Sequence, residues 1–405
     1  MKNYQIARRD SKNSEETIRG IPMMINLGDL IDGAKTGVQD LCELAGLTVM
    51  QLAMDAERER ILNKRLGYRH GSQPGYIFFN GKKLVLPHLR SRNLRGEEIP
   101  LKSYKSFQSK DEMTAKAVGD LMRGISTREY EDGIVKMLRC YGIKKSSVNR
   151  HFIRGTSEKL RELMERRIDK IDPVVIFIDG IGFADNLLVA ALGVDKLGVK
   201  HTLGLWQGAT ENSTVCGKLL EDLIARGLAP SRKYLFIIDG GKALKKAIQR
   251  AFGEDAQIQR CQEHKKRNVT EHLPKSYQAE IRREMTASYA MTEYDAAKGS
   301  LCACVRKLEK INPSAARSLE EGLEETLTLH RLGIPDALRE SLRTTNCIES
   351  SFSSVENRTA RVKRWNGGDQ VQRWAATALL MAEKKWRKIK GHFLMPMLLA
   401  ALGRQ

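Results

Sequence analysis

No stretch of the 405 residues approaches the roughly 18 consecutive apolar side chains of a membrane-spanning helix, so no helical membrane anchor is expected. The opening residues, MKNYQIARRDSKNSEET, carry charge without an apolar h-region, which speaks against a secretory leader. Cysteine is sparse and odd in number, seven in all; that is no disulfide framework and fits a reduced cytoplasm. Low-complexity tracts are missing as well. With 41% hydrophobic residues over this length, two or three domains with real cores are expected rather than general disorder.

The chain is also short of acid. Its 49 Asp and Glu face 69 Lys and Arg, a formal charge of +20 with a pI near 9.6. Such an excess seeks a polyanion, because cationic side chains neutralise phosphates and release their counterions. Nucleic acid is the leading partner, and an anionic membrane surface the weaker one. The excess is uneven: basic residues outnumber acidic ones by ten in 51–150 and by eight in 351–405, while 251–350 is close to neutral. A merely solvated basic face would not need that segregation.

Apolar positions at three- and four-residue spacing predict helices over 21–66. Across 67–110, Gly and Pro become frequent, and the β-prone runs Tyr76–Phe79 and Leu84–Leu86 flank Asn80-Gly81, a strong hairpin signal. Helices return over 111–170. There Ser126 and Glu129 form a capping box before an apolar helix to about Cys140, Tyr141-Gly142 supplies a turn, and a second short helix carries Lys144, Lys145, Asn149 and Arg150. This is helix-turn-helix grammar, in which those four side chains face DNA.

From 171 the pattern is that of an α/β domain. Continuous apolar runs mark strands buried on both faces at Val174–Ile178 and Tyr234–Ile238, with further strands at Leu187–Val194, Lys200–Trp206 and near Ile258. Helices run from Asn212 or Ser213 to Arg226 and from Lys242 to Phe252. The order is strand, strand, strand, helix, strand, helix, strand. Residues 266–340 are helical in pattern and read as an insertion after 171–265. Residues 341–405 complete the core with a helix, a basic turn and a longer amphipathic helix.

The two matched runs end alike, in Asp179-Gly180 and Asp239-Gly240. If their strands are neighbours, about 4.8 Å apart, both carboxylates share cations at one sheet edge. Hard oxygen donors suit Mg²⁺ (or Mn²⁺), and two such ions about 3.5–4 Å apart clamp the attacking and leaving oxygens of a phosphoryl transfer. Glu349, in Thr344–Ser350 on the first turns of a helix capped by Thr345 or Asn346, is the third acid. Glu356, seven residues on, is its chief rival; Glu211 and Asp185 are weaker ones. The bland alternative is that each Asp only caps its own Asp-Gly turn.

The stretches IDGIGFADN, GLWQGATEN, IDGGKAL, QRCQEHKKRNV, RTTNCIES and RVKRWNGGDQVQRWAA, in this order, resemble the mutator-type bacterial insertion-sequence transposases. These are DDE enzymes with an RNase H-like core. The resemblance spans about 120–400 and implies Asp179, Asp239 and Glu349 as catalytic and metal-binding triad, with a helical insertion before the Glu. The mainly helical N-terminal DNA-binding region is read from pattern and charge, since the first hundred residues match the family less well. The resemblance implies a substrate too, the terminal inverted repeats of the protein's own element, nicked by water and then joined to target DNA through the freed 3′-hydroxyl. A cytoplasmic, nucleoid-associated protein is implied, and because two ends must be held together, a homodimer.

Cys261 and His264 match a family motif. A structural zinc needs four ligands and this is one pair, with Cys302 and Cys304 the nearest completion, so a structural role beside the active site is expected instead. Trp206 and Trp374 read as core. Trp365 lies among cations, where base stacking on a splayed DNA end is expected, with Arg361, Lys363, Arg364 and Arg373 on backbone phosphates. Two other readings keep the same residues: an RNase H-like endonuclease or resolvase without strand transfer, and a DNA-binding regulator with a dead core.

Overall fold

The computed structural model describes residues 38–79, 82–108, 111–123, 140–141, 145–183, 186–208, 213–360, 362, 365 and 369–404. The chain divides into two compact units, one ending at Gly155 and the other starting at Thr156.

In the first unit, α1 (Val38–Asn63) precedes β1 (Tyr68–Gln73), β2 (Tyr76–Phe79), β3 (Lys82–Val85), β4 (His88–Arg92) and β5 (Glu98–Ile99). There follow α2 (Lys102–Phe107), α3 (Asp111–Met122), β6 (Cys140–Tyr141) and the start of α4 (Lys145–Met164). The strands form two antiparallel sheets, β1-β4-β5 and β2-β3-β6. The strands of the expected hairpin are in register, Phe79 opposite Lys82; its turn residues Asn80 and Gly81 lie outside the described set. Ile77, Leu84, Leu86 and Leu89 meet Leu47 and Met54 of α1 in a small core. The first amides of any helix lack intrahelical partners. For α2, the Glu57 carboxylate on α1 supplies them, accepting from the Lys102 and Ser103 backbone N–H groups at 2.8 Å each.

Most of the expected helix-turn-helix, 124–139 with Ser126 and Glu129 and 142–144, lies outside the described residues. Cys140-Tyr141 are strand rather than helix end and turn. They pair with Leu84 and Lys83, because the outer edge of β3 offers N–H and C=O groups that an extended segment satisfies. The helix that follows is 20 residues long, not a short recognition helix.

The second unit holds β7 (Pro173–Phe183), β8 (Asn186–Asp195), β9 (Lys200–Gly208), α5 (Ser213–Ala225), β10 (Leu235–Ile238), α6 (Lys242–Phe252) and β11 (Gln257–Arg260), the series expected from the sequence. They build one sheet in the order β11-β10-β7-β8-β9. β8 is antiparallel to both neighbours, and β10 runs parallel to β7 and β11. Seven helices follow without an intervening strand: α7 (Gln262–Glu271), α8 (Lys275–Ala290), α9 (Tyr294–Ile311), α10 (Pro313–Glu320), α11 (Leu323–Thr326), α12 (Thr328–Arg331) and α13 (Asp336–Leu342). This block has an apolar core of its own, including Val269, Ile281, Met285, Leu301 and Leu308. The chain then returns to the sheet with α14 (Asn346–Thr359), α15 (Gln370–Glu383) and α16 (Met395–Ala401).

Side-chain alternation along the strands divides the sheet into two faces. Val175, Phe177, Leu235 and Ile237 pack with Ile348, Phe352 and Val355 of α14 and Leu379 of α15. Ile176, Ile178, Phe236 and Ile238 pack with Leu219 and Leu223 of α5 and Leu244 and Ile248 of α6. Burial on both faces is why these runs are continuously apolar. Among the described residues, no helix is long and apolar enough to cross a membrane.

Phe177 sits fully buried on the central strand. Phe177→Ala should destabilise the protein by about 3–5 kcal/mol through lost transfer energy and the cavity left behind. Urea unfolding would show this as a lower midpoint at unchanged slope; an unchanged midpoint would contradict the central place given to β7.

Candidate active site

The paired residues of β7 and β10 stay 60 positions apart, Val175 with Leu235, Ile176 with Phe236 and Phe177 with Ile237. Asp179 and Asp239 are separated by the same interval, so they stand level on adjacent backbones. Alternation carries both to the face shared by Val175, Phe177, Leu235 and Ile237, which α14 covers. Glu349 is in the first turn of α14.

One detail differs from the sequence expectation. Asp179 does not end its strand: β7 continues to Phe183, paired with β8, and Asp179 lies opposite Ala190. The antiparallel partner carries the ladder on, whereas β10 stops at Ile238. Asp179 is thus exposed by the end of its neighbour. The turn-capping role also exists: Asp239 Oδ1 accepts from the Gly241 N–H and Asp179 Oδ1 from the Gly180 N–H, both at 2.8 Å. Gly240 has φ +107°, and a Cβ there would fall 2.0 Å from Arg260 Nε. The turn after Asp239 therefore requires glycine.

Both aspartates are half-buried, and neither has an ion-pair partner among the described residues. Burial, and next the charge of Asp239, lift the Asp179 carboxyl to about 7; Glu349 adds to the rise, while the Gly180 N–H and His264 oppose it. Asp179 thus feels the charge of both other acids, in a chain that is otherwise strongly basic.

Glu349 is held from behind. The fully buried Thr345, just before α14, hydrogen-bonds its hydroxyl to Glu349 Oε1. The same hydroxyl oxygen lies 3.2 Å from His264 Nδ1 and 3.3 Å from Cys261 Sγ, and the Thr345 N–H donates to that sulfur at 3.4 Å. His264 Nδ1 is 3.8 Å from Glu349 Oε1. Burial pushes the Cys261 thiol up, but hydrogen bonds to His264 and Thr345 outweigh it and leave it below the usual thiol range. The bond to Cys261, against burial, raises His264 above an ordinary histidine. Cys304 is packed in the helical core, and among the described residues no three His, Cys, Asp or Glu side chains form a ready metal cage. The Cys261–His264 pair thus acquires a neighbour in Thr345 rather than zinc co-ligands. From the sequence, Thr345 is no more than a possible helix cap; its position four residues before Glu349, one helical turn, is the signal that ties the two together.

The rival acid Glu356 is exposed further along α14. Glu211 and Asp185 lie outside the described residues, as do Lys144, Arg361, Lys363 and Arg364. Lys145 is on α4, and Asn149 and Arg150 are exposed there. Trp365 is half-buried and edge-on to Trp374, ring centroids 6.2 Å apart, against the core beneath α14 and α15. Arg373 departs from expectation. It is buried, with Nε donating to Asp369 at 2.8 Å and Nη1 to the Thr156 hydroxyl at 2.9 Å, so its charge serves packing of α15 rather than phosphate. A buried arginine needs such partners, and its helical position on the inner face selected them.

The family model for "Transposase, Mutator family" matches residues 17–388. Over 199 residues the chain is 31% identical to the transposase for insertion sequence element IST2 of Acidithiobacillus ferrooxidans, covering 49% of this chain and 66% of that one. It is 25% identical over 358 residues to the transposase for insertion sequence element ISRM5 of Rhizobium meliloti, covering 84% and 87%. With the transposase for IS406 of Burkholderia multivorans it shares 24% identity over 373 residues, or 88% and 92%. A match over nearly the whole chain, on a mixed helix and sheet architecture, makes this protein a member of the Mutator family of transposases.

Proposed function

We propose that the chain is a DDE transposase that binds the terminal inverted repeats of its own element and catalyses Mg²⁺-dependent DNA cleavage and strand transfer, with Asp179, Asp239 and Glu349 as its catalytic acids. The observation that carries this is the equal register of the two aspartates on β7 and β10, beneath the helix that bears Glu349. The strand order β9-β8-β7-β10-β11, with only β8 reversed, supports an RNase H-like core.

In its chemistry the donor set fits a hard divalent cation, which would draw the three carboxylates closer than they stand here. Its oxygens are carboxylate, no lysine or arginine pairs with either aspartate among the described residues, and their mutual repulsion helps lift Asp179 to about 7, a cost that a bound cation relieves. When bound, Mg²⁺ would supply charge neutralisation at the scissile phosphate and activation of the attacking oxygen. The chain's own contribution is positional. β7 and β10 hold two carboxylates level, α14 brings the third, and cationic residues hold the polyanion near an acidic site that would otherwise repel it. Lys144, Lys145, Asn149 and Arg150 are assigned to end binding; Arg361, Lys363, Arg364 and the accessible part of the Trp365 ring to DNA near the cleavage site. A homodimer would hold two ends at once. Joined product from a pre-cleaved end and a target duplex distinguishes the transposase from a nuclease, whose products stop at cleavage.

Asp239→Asn or Glu349→Gln should lower cleavage roughly 10³-fold or more, several kcal/mol of transition-state stabilisation, while terminal-repeat binding persists. Glu356→Gln should cleave like the wild type, and equal losses at 349 and 356 in a gel-based cleavage assay would refute the choice of Glu349.

The raised Asp179 carboxyl gives a second prediction. Its folded value, about 7, lies above the ordinary 3.8, so the folded protein binds the extra proton between those limits and loses stability as pH rises through them. In EDTA, Asp179→Asn should unfold at a higher temperature than wild type at pH 8, by up to a few kcal/mol of stability, with the gap closing towards pH 4. Mg²⁺ should raise the melting temperature of the wild type but not of the variant. A gap independent of pH would sink this account.

Replacing Lys145 or Arg150 by Ala should reduce the slope of log affinity against log salt by about one for each phosphate no longer neutralised. Arg373→Ala should leave that slope alone and lower thermal stability instead.

A further inference from the structure

Thr345 is fully buried at the junction of three elements: the end of the helical block, the start of α7 and the first turn of α14. Its hydroxyl lies within hydrogen-bonding reach of three side chains, Glu349 on α14, His264 on α7 and Cys261 just before α7. A hydroxyl has one proton to donate and two lone pairs with which to accept. An ionised Glu349 only accepts, and a charge-assisted bond outcompetes a neutral one, so the Thr345 proton goes to Glu349 Oε1. A lone pair of Oγ1 then faces His264 Nδ1, while Cys261 Sγ stands on the accepting side, 3.3 Å from Oγ1. The Thr345 backbone N–H, donating to Cys261 Sγ, fixes the residue a second time.

We infer that Thr345 is a positioning residue, whose hydroxyl, oriented by Cys261 and His264, locks the Glu349 carboxylate in the rotamer that completes the acidic site with Asp179 and Asp239. This rests on the reading of Glu349 as a metal-binding acid. It gives the Cys261–His264 pair a task that needs no zinc. The physical need is plain: Glu349 is carried by a helix, has nearly half of its side chain exposed, and is restricted in its rotamers by this buried network behind it. The two aspartates, by contrast, are anchored by strand pairing and by bonds to neighbouring amides. Groups that orient a metal ligand through hydrogen bonds commonly change metal affinity 10- to 100-fold when removed.

The test is Mn²⁺ binding to the full chain, followed by electron paramagnetic resonance, alongside Mn²⁺ activation of cleavage. Thr345→Val keeps the shape and deletes the hydroxyl; Thr345→Ser keeps the hydroxyl. The expected result is Mn²⁺ affinity about tenfold weaker in Thr345→Val, with DNA affinity unchanged, and near wild-type affinity in Thr345→Ser. Thr345→Ala provides the same comparison should the Val variant fail to fold. Equal Mn²⁺ affinity in wild type and the hydroxyl-free variants would overturn the inference, as would an equal loss in Thr345→Ser. Asp179→Asn separates this from the underlying reading: wild type and Asp179→Asn that bind Mn²⁺ equally would defeat the metal site itself and the Thr345 inference with it.

Discussion

The parallel pairing of β7 with β10 is the constraint on which the rest of the second unit depends. Backbone hydrogen bonds in a parallel ladder fix register residue by residue, and a slip of one position would turn every side chain to the opposite face. Because both strands are apolar on both sides, hydrophobicity does not forbid that slip; close packing of side chains of unlike size against helices on each face does. Since the offset is held at 60, two aspartates distant in sequence are brought level. The early end of β10 then frees the edge on which they sit, and the glycine turn after Asp239 lets the chain leave without filling that space.

Electrostatics makes this arrangement unfavourable by itself. Two half-buried carboxylates on neighbouring strands repel, which together with burial is why Asp179 retains its proton far above the normal range, and Glu349 adds a third negative charge. A protein with an excess of twenty positive charges has many means of neutralising such a pocket with lysine or arginine. Among the described residues neither aspartate has such an ion pair; His264, whose charge opposes the rise at Asp179, is itself tied to Cys261 and Thr345. Under the proposed function this unrelieved repulsion is what a cation-binding site would keep, with the basic residues elsewhere left for phosphate. Strain of this kind belongs to function rather than to stability.

Much of the core was legible from local pattern. Continuous apolar runs identified buried strands, Gly and Ser marked helix limits, and the repeated Asp-Gly ending after matched runs singled out Asp179 and Asp239. The errors share one cause. Cys140-Tyr141 look like a helix end, but an open strand edge at β3 captured them. Asp179 looks like the last residue of its strand, but β8 prolonged the ladder to Phe183. Arg373 looks like one more cation in a basic segment, but its turn of α15 faces inward, to Asp369 and Thr156. In each case a tertiary or cross-strand partner overrode the local preference.

By itself, the sequence determined the order of strands and helices in the second unit, the candidate acids and the family, because these depend on periodicity, residue type and short motifs that lie along the chain. Only the tertiary structure decided which face of the sheet bears the two aspartates, that the charge of Glu349 reaches Asp179, and that Thr345 links Glu349 to Cys261 and His264. The link from Thr345 to His264 and Cys261 spans 81 and 84 positions, and such distances are set by packing and register, to which a local pattern is blind.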